Sequence, residues 1–144
     1  MTCAWCARTH DGGPENCIRG VVLVCGGRDF SSWTRVLAVL DKVAARCEVT
    51  GIRHGRARGA DALAGQWARF RGVTEEPFPA DWRAHGKGAG PIRNEAMATT
   101  VPIPVLCVTF PGGAGTADMV RRAEAHGIRV WALAGTQPSA QPSL

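Results

Sequence analysis

Three glycine-rich turns hold the residues best suited to chemistry. The first reads Cys25-Gly26-Gly27-Arg28-Asp29-Phe30. Gly26 and Gly27 let the backbone approach a ligand closely. Arg28 suits a phosphate or a carboxylate, and Asp29 either accepts from a ribose hydroxyl or caps a following helix. The second turn runs from His54-Gly55 to Gly59-Ala60-Asp61. Gly59 stands where a helix N-terminus begins, a ready anion site. Asp61 falls in the first helical turn, where the helix dipole also favours it. His54, at a strand end, is either a ligand contact or a satisfied polar residue. The third turn reads Pro111-Gly112-Gly113-Ala114-Gly115-Thr116-Ala117-Asp118. Amides freed by Gly112, Gly113 and Gly115, with the Thr116 hydroxyl, make a phosphate cradle. No Lys follows the last glycine, so it is not a P-loop. One such turn is weak evidence; three following strands define a binding cleft.

Between the second and third turns lies a polar stretch, residues 79–94, long for a connector without function. Trp82 either stacks on a base or packs into the core. Arg93 and Asn94 sit on the first turn of a short helix and face the cleft if the loop folds back.

The elements that position these turns are read from periodicity. Val21–Cys25 is a continuous apolar, β-branched run, as in a strand buried on both faces. A helix follows over Ser32–Arg46, with Trp33, Val36, Leu37, Leu40 and Val43 on one face and a serine as cap. A short strand runs from Glu48 to Gly55, and a helix over Ala60–Arg71 has Leu63, Trp67 and Phe70 on one face. A weak strand (Val73–Phe78), a short helix (Pro91–Thr99), an apolar strand (Val105–Phe110), a helix (Thr116–His126) stopped by Gly127, and a strand (Ile128–Leu133) complete the series. Alternating strands and helices predict an α/β fold, a Rossmann-like three-layer αβα sandwich with a mostly parallel sheet. Ligands in such sheets bind at the carboxyl ends of the strands. Residues 21–134 form this domain; residues 1–20 are a Cys/His-rich extension, and the Gly/Pro/Ser/Gln composition of 135–144 predicts a disordered tail.

The chain of 144 residues is 45% hydrophobic and 20% charged, enough for an ordinary core. No apolar run approaches a membrane span of about 20 residues, and the start lacks the pattern of a signal peptide. The expected location is cytoplasmic, with no membrane partner. The net charge of +5 suits a nucleic acid or an anionic small ligand. The basic residues are nearly all Arg, dispersed along the chain, which is not the continuous basic groove that nucleic-acid binding needs. An Arg-, Ala- and Gly-rich composition also follows from codon usage alone.

Six cysteines, three of them in the first 17 residues, do not read as a disulfide framework in a cytosolic chain. Cys3, Cys6, His10 and Cys17 offer a Cys3His set for structural zinc, with a Cys-x2-Cys half-site. The other reading is a flexible, reduced tail. The main domain requires no cofactor.

In combination, Val22–Phe30, His54-Gly55 with Gly59-Ala60-Asp61, Pro79–Trp82 with His85-Gly86-Lys87, Gly90–Asn94 and Pro111–Thr116 resemble the YspA/cpYpsA-related branch of the SLOG superfamily, over about residues 20 to 134. The resemblance implies a Rossmann-like fold, a nucleotide-derived ligand, a phage or mobile-element setting and a homodimer or larger homo-oligomer. It also implies a distant kinship with cytokinin-activating phosphoribohydrolases, which cleave the N-glycosidic bond of nucleoside monophosphates. Their Pro-Gly-Gly-x-Gly-Thr-x-x-Glu motif and helical Arg place Arg93 as the matching Arg, but Met119 stands at the Glu position. Asp118, one residue earlier, points about 100° away around a helix; Asp29, Asp61 or Asp118 would have to supply the carboxylate that such chemistry needs. The primary expectation is a ligand-sensing or sequestering module for a nucleotide or nucleotide-derived molecule. The alternatives are a phosphoribohydrolase using Arg93 and Asp118, and a binder of single-stranded nucleic acid, as a DNA-processing relative is.

Overall fold

A computed structural model describes residues 18–133. The proposed zinc ligands Cys3, Cys6, His10 and Cys17, and the tail from residue 135, lie outside the described residues. Five strands, β1 (Ile18–Cys25), β2 (Cys47–His54), β3 (Glu75–Pro77), β4 (Leu106–Thr109) and β5 (Val130–Ala132), form one sheet in the order β3-β2-β1-β4-β5. Every pairing is parallel. Helices α1 (Trp33–Ala44), α2 (Ala60–Arg71), α3 (Trp82–His85), α4 (Ala89–Thr99) and α5 (Ala114–Ala125) connect them.

Alternation along β1 divides the core into two layers. Val22 and Val24 face α1 and α2, packing with Val36, Leu40, Ile52 and Trp67. Leu23 and Cys25 face the opposite side, with Met97, Cys107, Met119 and Ala123. Successive strand residues point to opposite faces, so a run apolar at every position must be covered twice. That is the three-layer sandwich expected, with α4 and α5 as the second cover. Each fully buried Val or Leu contributes about 1.5–3 kcal/mol.

Several local expectations are corrected. The first strand begins at Ile18, three residues inside the N-terminal extension, because Ile18 pairs with Cys47 across the sheet. Phe70 is not in the core: it is 61% exposed and meets Trp33 edge-on at 6.0 Å. Helix α2 instead buries Ala60, Ala64 and Ala68, small residues that bring its axis close to the sheet, together with Trp67. The stretch 79–94 is not one loop. Asp81 caps α3 by accepting from Ala84 N at 3.0 Å, a 3-10 turn covers Gly86–Gly88, and α4 begins at Ala89 rather than Pro91. Helix α5 begins at Ala114, two residues before the expected Thr116.

A buried arginine, not singled out by the sequence, fixes α4. Arg53 on β2 is 1% exposed. Its Nη1 donates to the carbonyls of Met97 (2.8 Å) and Thr100 (3.0 Å), its Nη2 to Pro102 O (3.0 Å) and its Nε to Glu76 Oε1 (3.0 Å). The guanidinium therefore satisfies carbonyls at the α4 C-terminus, which a helix cannot satisfy itself. That clamp sets where the other end of α4, with Arg93 and Asn94, meets the cleft.

Candidate functional site

The strand order reverses between β1 and β4, and their carboxyl ends open a crevice there. A cleft of about 480 Å³ occupies it. One wall is Gly26-Gly27-Arg28 after β1, and the facing wall is Gly113-Ala114-Gly115-Thr116 at the start of α5. Helix α4 contributes Arg93 and Asn94, and Trp82 stands at the rim. Cys25, Met97 and Met119 form an apolar floor, and Asp61 reaches it from α2.

The glycines of the two walls have different physical reasons. Gly27 N donates to Pro111 O at 2.8 Å, and Gly27 O accepts from Phe30 N and Ala60 N, so the first turn is stitched to the third and to α2. A Cβ on Gly27 would lie 2.8 Å from Pro111 O, and one on Gly26 would lie 2.6 Å from the Ala60 Cβ. A Cβ on Gly112 would collide with the Thr116 hydroxyl and lie 2.7 Å from Gly27 N. Gly59, with φ of 81°, packs against Gly27 O and the Arg28 backbone. These four glycines serve chain-to-chain packing. Gly113 and Gly115 do not: a Cβ at either would meet nothing within 4 Å, and both line the cleft.

The first bond of the α5 ladder runs from Ala117 N to Gly113 O at 3.0 Å. The amides of Ala114, Gly115 and Thr116 precede it and lie outside that ladder, at the positive end of the helix dipole. Asn94 Nδ2 donates to Gly115 O (3.3 Å) and to Asp118 Oδ2 (3.0 Å), tying α4 to this first turn.

The charged groups Arg93, Asp61 and Asp118 are held by backbone groups and neighbouring side chains. Arg93 Nη1 donates to Gly55 O, and Nε donates to Asn94 Oδ1 at 3.0 Å. Burial lowers the Arg93 pKa, Asp61 opposes that shift, and Arg28 adds to it by repulsion. Asp61 is 6% exposed, and its Oδ2 accepts from Gly55 N (3.0 Å) and Ala57 N (3.2 Å). Burial pushes its carboxyl above the ordinary range, against those two amides and the Arg93 charge. Asp118 lines the cleft together with Met119, although the two lie about 100° apart around α5. Its Oδ2 accepts from Arg122 Nε at 2.9 Å as well as from Asn94. Burial raises its pKa, but the hydrogen bonds from Arg122 and Asn94 outweigh that and hold the carboxyl below its ordinary range.

The structure thus gathers Gly26, Gly27, Arg28, Asp61, Trp82, Arg93, Asn94, Gly113, Gly115, Thr116 and Asp118 around one cleft. Trp82 is 50% exposed there and does not join the core. Four expected contacts fall elsewhere. His54 is buried, its Nδ1 accepting from Arg56 N (3.0 Å), which leaves Nε2–H to donate to Glu75 at 2.7 Å. Asp29 is exposed and faces a neighbouring groove with Ser31, Ser32 and Arg35. Gly59 and Gly112 sit behind the walls, away from this cleft. Nothing in the sequence marks the sulfur-bearing floor of Cys25, Met97 and Met119, because apolar residues at core periodicity carry no signal of a cleft. Among the described residues, no group of three or more His, Cys, Asp or Glu is placed to hold a metal ion.

The model of the YspA, cpYpsA-related SLOG family matches residues 20–85. The chain is 38% identical over 117 residues to the Gene 61 protein of Mycobacterium phage D29, covering 76% of this chain and 92% of that protein. No solved structure matches the chain significantly. No described helix is long and apolar enough to cross a membrane.

Proposed function

Because the chain belongs to the YspA, cpYpsA-related SLOG family, we propose that it binds a nucleotide or nucleotide-derived molecule, as a sensing or sequestering module, with the phosphate on the first turn of α5. One observation carries this reading: Gly113 and Gly115 line the cleft with open space where a side chain would be. A glycine inside a helix costs stability, about 0.5–1 kcal/mol relative to Ala. No packing or positive φ calls for glycine at either position; Gly113 is the α5 N-cap, a role glycine fills, so it is at Gly115, inside the helix, that close approach of a ligand to the backbone best explains the glycine. The amides of Ala114, Gly115 and Thr116, the Thr116 hydroxyl and Arg28 supply donors for an anion. Trp82 offers a face for a base, and a volume of about 480 Å³ lies within the range of small-molecule pockets.

Binding is favoured over hydrolysis by the floor. Met119, 1% exposed, fills the position where a phosphoribohydrolase carries its carboxylate. Asp118 is committed to Asn94 and Arg122.

The test is calorimetric titration of the full chain with AMP, beside Gly113→Asp. The aspartate has room, so the variant folds, but it sets a negative charge at the phosphate position. Binding by the wild type and none by the folded variant is the expected result. Equal affinity in both would refute the cradle. Chromatography of the same samples reads adenine release; rapid release, lost in Arg93→Ala, would replace the binding reading with the hydrolase one.

A further inference from the structure

We propose that Asp61 Oδ1 accepts a hydrogen bond from a ribose hydroxyl of the bound nucleotide, so that the cleft selects ribonucleotides over deoxyribonucleotides. The inference rests on the cradle reading above. Its own observation is a carboxylate that is more than nine-tenths buried and yet half satisfied. Oδ2 takes both amides, Gly55 N and Ala57 N. Among the described residues, Oδ1 has no hydrogen-bond or ion-pair partner, and Asp61 lines the cleft. A buried carboxylate oxygen left without a donor is costly, and burial accordingly raises the Asp61 pKa. A ligand donor at Oδ1 removes that cost.

The neighbouring groups narrow what the donor is. Arg93 lines the same cleft and senses the Asp61 charge, but among the described residues no ion pair joins them. Arg93 Nη1 and Nε are engaged by Gly55 O and Asn94 Oδ1, and no described group takes Nη2. The cleft therefore presents an unmatched acceptor and an unmatched donor. A hydroxyl both donates and accepts, and can meet the two together. An exocyclic amine only donates and would leave Arg93 unmatched. A metal ion would need further acidic or imidazole ligands, and no such group exists among the described residues. With phosphate on α5 and base near Trp82 at the rim, the sugar lies between them, over the floor that Asp61 reaches.

The experiment is titration of wild type and Asp61→Asn with AMP, 2′-deoxyAMP and 3′-deoxyAMP. Asparagine keeps a carbonyl oxygen for Gly55 N and Ala57 N, and circular dichroism with a thermal melt checks its fold. In the wild type, removal of the hydroxyl that is read weakens binding by about 10- to 100-fold, the range of hydrogen bonds to charged groups. In Asp61→Asn that preference collapses to within about threefold. Equal binding of all three by the wild type would overturn the inference while leaving the cradle intact. A preference that survives in Asp61→Asn would also overturn it, by locating hydroxyl recognition elsewhere. Failure of the wild type to bind any of the three would remove the cradle reading and this inference with it.

Discussion

Two neighbouring glycines should respond to the same substitution with opposite signs. Gly115 lies in the first turn of α5, and a Cβ there meets nothing within 4 Å. Gly115→Ala removes unfolded-state entropy and adds no clash, so stability rises by about 0.4–1 kcal/mol. For a domain of this size, that raises Tm by about 1–4 °C. Gly112 lies three residues away, where a Cβ would sit 2.7 Å from Gly27 N and against the Thr116 hydroxyl. Gly112→Ala must push the third turn off the first, a cost of about 1–3 kcal/mol. Ligand affinity separates the two further. The stabilised Gly115→Ala places a methyl in the proposed phosphate position and should bind AMP at least about tenfold more weakly, or 1.4 kcal/mol. Urea denaturation and calorimetry of the wild type and both variants measure every quantity. A destabilised Gly115→Ala, or one more stable with full AMP affinity, would refute the division of the glycines into packing and ligand positions.

Further outcomes follow from the same geometry. Arg53→Met leaves the carbonyls of Met97, Thr100 and Pro102 and the Glu76 carboxylate without their shared donor, so urea unfolding should show a loss of about 3–5 kcal/mol. Arg53→Lys should recover little of it, since a point charge cannot span four acceptors. Trp82→Ala should weaken AMP by about 1–3 kcal/mol, the range for stacking on a base, and leave ribose 5-phosphate unchanged; equal losses for both would remove the stacking role. The Asp61 carboxyl has a folded-state pKa above its ordinary 3.8. The folded state therefore binds more protons than the unfolded one between those two values, and stability falls as pH rises through that window. The Tm of Asp61→Asn relative to wild type should accordingly rise from pH 3.5 upward and level off once Asp61 is ionised; a flat or falling difference would contradict the assigned direction.

The alternation of strands and helices was legible because it is local. Val21–Cys25 is apolar at every position and Leu106–Phe110 at every position but the buried Thr109, and only a sheet covered on both faces can bury such runs. Ser32, Gly59 and Gly72 mark helix ends through the conformations and side-chain bonds of single residues. The three turns were visible for the same reason, since glycine content after a strand needs no tertiary information. Trp82, Phe70 and His54 were not assignable in this way. Each fits either a core or a surface by composition, and the outcome depends on which element packs across from it.

Tertiary structure decided the strand order and everything that follows from it. No local pattern states that β1 lies between β2 and β4, because that pairing joins residues more than 80 positions apart, such as Cys25 and Thr109. Once it forms, the first and third turns meet, Gly26, Gly27 and Gly112 become packing positions, and Gly113 and Gly115 are left facing the cleft. The same packing buries Asp61 at the cleft with one oxygen satisfied and the other without a partner among the described residues. The sequence supplied glycines and carboxylates at turns; which of them close the chain on itself and which line an open cleft is a matter of distances across the sheet.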